Sequence, residues 1–167
     1  GFGGFYGYSK LLAESIFSHL SAEGLKCIIL RPSSIYGYGL PPEKLVQNFI
    51  NMASTNSDIR IRGHKNRINL IHAYDVATAA FSAYKNESWG VFNISSKVGS
   101  TILEIAETAV SISDGGNIVI LDDDKNNATF TRFDLDSKLA KISFGFEAKI
   151  NLKDGMLLMK NKALTPC

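Results

Sequence analysis

The chain has 167 residues, 45% of them hydrophobic and 20% charged, with a formal net charge of +2. That is enough chain for one globular domain with a real core, and the scattered positive charges give no stripe for nucleic acid. No apolar run approaches the 18 residues of a membrane span, and no secretory signal is expected.

The opening "GFGGFYGYSK" has two incompatible readings. Gly1, Gly4 and Gly7 suggest a loop around a dinucleotide pyrophosphate, whereas Tyr6 and Lys10 form a Y-x-x-x-K on a helix. A phosphate loop needs a buried strand before it and an acidic residue at the end of the next strand. No strand leading into Gly1 can be read from this sequence, and the strand that follows, "KCIIL", is closed by Arg31 and Pro32 rather than by an acidic residue. The helix reading has its context: Leu11, Leu12, Ile16, Phe17 and Leu20 recur at helical spacing from Phe5 to Leu20, and Gly24 stands just past the end. At i, i+4, Tyr6 and Lys10 are neighbours on one face. An ammonium there favours the phenolate and draws the tyrosine down from its ordinary value of about 10, toward acid–base work at neutral pH.

Beyond the first strand, Pro41-Pro42 marks a loop and "EKLVQNFINMA" reads as a helix with Leu45, Phe49 and Met52 on one side. "IRIRG" alternates as a strand. The cluster Arg60, Arg62, His64, Lys65 and Arg67 reads as a solvated strand-and-turn face or a small anion site. "INLIH" is a short apolar strand in which His72 is a satisfied core histidine; His19 and His64 are expected to be exposed. Asp75 is placed to cap or pair near the start of the helix "DVATAAFSAYK". "VFNIS" follows as a strand, then Thr101 and Glu104 form a capping box for "ILEIAETAVSI", and "NIVIL" is another strand. Asp122, Asp123 and Asp124 fall in a polar loop and point in different directions, so no metal site is expected. Two short helices close the chain, the second capped by Asn151 with Asp154. Of the two cysteines, Cys27 is expected in a buried strand and Cys167 is the last residue, which argues for free thiols in a reducing compartment rather than a disulfide. Alternating strands and helices predict an α/β layered fold.

Several segments together resemble one family. Tyr6-Gly7-Tyr8-Ser9-Lys10 with Glu14, Leu30-Arg31-Pro32 and Ile35-Tyr36-Gly37-Tyr38-Gly39 match Y-G-x-S-K-x-x-x-E, L-R-P and V-Y-G-x-G. "NLIHAYDVATAAFSAY", "GVFNISSKVGSTILEIAE" and "FDLDSKLAKISFGFEAKINLKDGM" continue the likeness, the last two against "YNIGxG…S…ELA" and "xDxSKAxxxLGWxPxxxLxEGL". The chain resembles the extended short-chain dehydrogenase/reductases, the NAD-dependent epimerase/dehydratase family of nucleotide-sugar enzymes.

The resemblance implies the tail of a doubly wound Rossmann-type parallel sheet plus the smaller α/β substrate-binding domain. Residues 1–40 would be the C-terminal part of the NAD(P)-binding domain. Residues 41–167 would be mainly the substrate-binding region, some of whose strands and helices return to the first. The chain would be the C-terminal half of a family member, with the glycine-rich loop and the catalytic Ser or Thr upstream. It implies hydride transfer at a sugar carbon with NAD or NADP, Tyr6 as acid/base, Lys10 on the nicotinamide ribose, and Pro32 and Ser33 passing the nicotinamide. Ser34 and Arg67 would bind the nucleotide-sugar substrate. Ser34 stands where many members carry Asn, and Arg67 stands one residue before the position of the family's diphosphate-gripping Arg, which here is Ile68. The full-length protein would be a cytoplasmic homodimer binding neither nucleic acid nor membrane. A non-catalytic binding or regulatory relative, or an inactive fragment, is the alternative.

Overall fold

The computed structural model describes residues 4–121 and 135–163, leaving out the side chains of residues 162 and 163. Asp122 to Asp124 and Cys167 lie outside the described residues.

In chain order the elements are α1 (Gly4–Ala22), β1 (Ile28–Pro32), β2 (Ser34–Tyr36), α2 (Leu45–Ser54), β3 (Asp58–Ile61), β4 (Arg67–Ile68), β5 (Leu70–His72), α3 (Ala73–Lys85), β6 (Gly90–Ile94), β7 (Ser100–Thr101), α4 (Ile102–Ser113), β8 (Asn117–Ile120), α5 (Lys138–Phe144) and α6 (Leu152–Ala163). β1 pairs with β6, β2 with β5 and β3 with β8, all in parallel, while β4 and β7 are antiparallel. Parallel neighbours so far apart in sequence need crossovers, and the helices between them supply these.

Two cores result. In one, α2, α4 and α6 cover β3, with Phe49, Ile59, Ile61, Ile105, Met156 and Met159 interlocked. β3 alternates as expected, Ile59 and Ile61 inward and Asp58 and Arg60 outward. In the other, α3 and α5 lie on the β1/β6 pair through Ala79, Ala83, Phe92, Ile94, Ala140 and Phe144. The alanines of α3 let the helix approach the strands closely, and Phe92 meets Phe144 edge-on at 5.0 Å.

Four local expectations change. The buried face of α2 is Val46, Phe49, Ile50 and Ala53, with Leu45 and Met52 packed on its margins. "INLIH" is not one strand: Asn69 breaks it into β4 and β5, which pair with different partners. His64 is half-buried and its carbonyl accepts from the Leu103 backbone N–H. Cys27 is half-buried just before β1, and free.

At the start of α3 the cap is His72, whose Nδ1 accepts from the Tyr74 N–H at 3.2 Å. Asp75 instead turns its buried carboxylate to the chain ahead of α6, accepting from the backbone N–H groups of Lys149 and Ile150 at 3.1 Å each. The caps read from the sequence form: Thr101 with Glu104 as a full capping box on α4, and Asn151 on α6, whose Oδ1 accepts from the Asp154 N–H while its Nδ2 donates to the Asp154 carboxylate.

Tyr36 fills the space between these pieces. It is 2% exposed, meets His72 edge-on at 5.2 Å, and donates its hydroxyl to the Asn151 carbonyl at 3.2 Å. Burial, with the Asp75 and Asp154 carboxylates adding to it, pushes the phenol above its ordinary value and keeps it a neutral donor. α6 crosses this ring at Gly155, where a Cβ would lie 2.1 Å from the Tyr36 hydroxyl oxygen. Gly155 is therefore required by close approach. Gly155→Ala is expected to lower stability by about 2 kcal/mol or more, the cost of overpacking a closed core. Denaturant titration checks this; an unchanged midpoint would show that the ring can yield.

Candidate active site

α1 carries Tyr6 and Lys10 on adjacent turns. The Lys10 Nζ lies 5.4 Å from the centroid of the Tyr6 ring, so the helix brings the pair together as its spacing implies. Ser9 donates its hydroxyl to the Tyr6 carbonyl at 2.8 Å. Tyr6 is 72% exposed, and none of the side chains of α1 is buried among the described residues.

What ties this helix to the sheet is an ion pair. Arg31 at the end of β1 donates from Nε to Glu14 Oε2 at 2.9 Å and from Nη2 to Oε1, a two-pronged contact suited to the guanidinium plane. Arg31 holds the Glu14 carboxyl below its ordinary 4.5, and Glu14 in turn raises Arg31. The motif residue Glu14 thus has a visible task, fixing the helix of Tyr6 and Lys10 against the strand that ends in Pro32.

Pro32 to Ser34 form the crossing between the β1/β6 and β2/β5 pairs. The Ser33 N–H donates to the Ile94 carbonyl at 2.9 Å and the Ser34 N–H to the Asn69 carbonyl at 3.0 Å. Ser34 is exposed. The Ser33 hydroxyl oxygen is buried with no hydrogen-bond partner among the described residues. A buried polar atom left unpaired costs free energy, so a donor or acceptor brought by a ligand fits here.

Arg67 sits elsewhere. It is half-buried in β4 opposite Thr101, and its Nη2 donates to the Gly99 carbonyl at 2.5 Å. Asn69, a residue that sequence reasoning passed over, grips the same loop: its Oδ1 accepts from the Ser96 N–H and hydroxyl, and its Nδ2 donates to the Ser96 carbonyl. The available signal was a lone amide inside an apolar run. The structure thus brings Tyr6 to Lys10, and Pro32 to Ser33 and Ser34, while Arg67 braces the 96–99 loop.

The model of the NAD dependent epimerase/dehydratase family matches residues 4–95, which span these groups. The chain belongs to that family. A dTDP-D-glucose 4,6-dehydratase of Dictyostelium discoideum is 32% identical over 111 residues, 65% of this chain and 26% of that protein. Among solved structures, the UDP-N-acetylglucosamine 4-epimerase from Bacillus cereus superposes with a TM-score of 0.83 at 23% identity, covering 97% of this chain and 54% of that one. The dTDP-glucose 4,6-dehydratase from Bacillus anthracis, solved in complex with NAD, gives 0.79 at 20%, covering 96% and 52%. These likenesses establish the Rossmann-type fold of the extended short-chain dehydrogenase/reductases. The chain spans about a quarter of the curated relative and about half of the solved chains. No described helix is long and apolar enough to cross a membrane.

The Arg31 pair yields a pH prediction. Because the folded-state value of Glu14 is depressed, its contribution is present above about 4.5 and is lost as pH falls through the lower folded value. Amide exchange in α1, relative to α4, is therefore expected to speed up only at the acid end in the native chain. In Glu14→Gln it should already be about two- to fivefold faster at pH 7, the scale of a largely exposed ion pair. Identical exchange in both proteins at pH 7 would remove the tether.

Proposed function

We propose that the full-length protein is an NAD(P)-dependent nucleotide-sugar epimerase or dehydratase that uses Tyr6 as its acid/base. The observation that carries this reading is the Tyr6–Lys10 pair on one face of α1, in a chain of the NAD dependent epimerase/dehydratase family. In this reading residues 1–40 end the cofactor domain and residues 41–167 mainly build the substrate region, with α3 and β6 packed back on β1. The protein works as a cytoplasmic homodimer.

Tyr6 takes the proton of the sugar hydroxyl at its phenolic oxygen and later returns it. Lys10, whose ammonium stands over the Tyr6 ring, hydrogen-bonds the nicotinamide ribose. A bound nicotinamide cofactor, NAD or NADP, would accept the hydride of the sugar carbon as that proton leaves and give it back as the proton returns. The orphaned Ser33 hydroxyl is a group suited to the carboxamide end of such a ligand, and Pro32 lines its path. Ser34, exposed beside Ser33, faces the sugar nucleotide, and Arg67 contributes charge from behind the 96–99 loop.

In the full-length protein, Tyr6→Phe is expected to lower turnover by 10²-fold or more while nucleotide-sugar binding stays nearly unchanged, since only the proton-carrying hydroxyl is lost. Steady-state rates and equilibrium binding measured on the same preparation decide it. Activity within about tenfold of the native enzyme would remove Tyr6 from the reaction.

A further inference from the structure

Asn69 stands where two separate stretches of the chain meet. Its backbone carbonyl accepts from the Ser34 N–H at 3.0 Å, at the crossing that carries Ser33 and Ser34. Its side chain holds the segment that leaves β6. Oδ1 accepts from the Ser96 N–H at 3.0 Å and from the Ser96 hydroxyl at 2.9 Å, and Nδ2 donates to the Ser96 carbonyl at 3.1 Å. From Ser96 the chain runs back through Ser95 to Ile94, whose carbonyl accepts from the Ser33 N–H at 2.9 Å. The contacts close a ring: Ser33, Ser34, Asn69, Ser96, Ser95, Ile94.

An amide suits this place, because one side chain supplies both the acceptor and the donor that the N–H and carbonyl of Ser96 require. Asn69 falls in the break between β4 and β5 and belongs to neither strand, so its side chain does the anchoring that a longer ladder would otherwise do. It is 7% exposed, and water does not readily replace a bond lost there. On the same ring lies the Ser33 hydroxyl oxygen, buried and without a hydrogen-bond partner among the described residues. That hydroxyl holds nothing in place. Its position is set by the amides of Ser33 and Ser34, one tied to the end of β6 and the other to Asn69.

We propose that Asn69 is a positioning residue for the cofactor end of the site: its hold on Ser34 and Ser96 sets where the Ser33 hydroxyl stands, and so how tightly the nicotinamide end of a dinucleotide is bound. The inference rests on the assignment of Ser33 to the nicotinamide carboxamide. Asn69 acts through Ser33 rather than by contact. A crossing already fixed loses little freedom when the ligand arrives, whereas a loosened one must be ordered at the expense of affinity.

The test is equilibrium binding to the full-length protein of NADH or NADPH, whichever it takes, beside ADP-ribose or its 2′-phosphate, which keep the adenosine and diphosphate but lack nicotinamide. Asn69→Ala is expected to weaken the dinucleotide by about fivefold or more, the scale of one net hydrogen bond, while the ADP-ribose ligand stays within about twofold. Ser96→Ala removes only the hydroxyl donor to Oδ1 and is expected to shift binding in the same direction by a smaller factor. It carries the same comparison where circular dichroism shows that Asn69→Ala does not fold. In a Ser33→Ala background the Asn69→Ala loss should shrink, since groups acting through one another are not additive. An equal loss for both ligands makes Asn69 a part of the scaffold only and overturns the proposal. So does an unchanged dinucleotide affinity, or a loss that persists in full without the Ser33 hydroxyl. A native full-length protein that binds neither dinucleotide overturns the cofactor reading together with this one, so the native titration tells the two failures apart.

Discussion

A single buried carboxylate among the described residues organises how the C-terminal part of this fold is placed. Asp75 lies in the first turn of α3, where the free N–H groups and the helix dipole favour a negative charge. It spends its two oxygens on backbone N–H groups more than seventy residues away. Apolar packing alone would let the 148–151 segment slide, because dispersion has no direction. Two charge-assisted hydrogen bonds to consecutive amides fix both its position and its rotation. Everything downstream inherits that placement: the Asn151 cap, the axis of α6, and the approach of Gly155 to the Tyr36 ring.

The Tyr6–Lys10 pair depends on a different kind of constraint. α2 buries Val46, Phe49, Ile50 and Ala53, whereas α1 leaves Leu11, Leu12, Ile16 and Phe17 largely exposed among the described residues. Tyr6 and Lys10 meet because helix geometry sets them four residues apart, not because a core holds them. The Arg31–Glu14 fork then orients the helix as a whole. This division explains why Glu14 belongs in the motif with Tyr6 and Lys10: without it the pair would be intact internally but unaligned with the strand end at Pro32 and Ser33.

Legibility in the sequence followed the range of the interaction. The Thr101–Glu104 and Asn151–Asp154 caps, the Tyr6 helix and the alternation of β3 all rest on neighbours within four residues, and all could be read. The face of α2 was read one residue off because Leu45 and Met52 are as apolar as Val46 and Ile50; only the tertiary partners choose between the two stripes. Asp75 was recognised as a capping or pairing group, but its partners are remote in sequence and carry no side-chain signature, since they are backbone amides. Asn69 was hidden for a related reason. Inside "INLIH" it looks like a blemish in a strand, and only its distance from Ser96 in the fold shows that it ends one strand and starts another.

The displaced arginine and the lysine loop belong to one arrangement. Along a strand a shift of one residue turns a side chain to the opposite face. Arg67 lies two residues before Asn69, and the two grip opposite ends of the same short loop, Arg67 at the Gly99 carbonyl and Asn69 at Ser96. A Cβ at Gly99 would lie 3.3 Å from the Ile68 carbonyl oxygen, so the loop is pressed against the very strand that braces it. Between those two anchors stands Lys97, 70% exposed, with its ammonium 3.5 Å from the Glu147 carboxylate. Arg67 thus braces the loop from one end, and the loop so braced carries the exposed positive charge of Lys97.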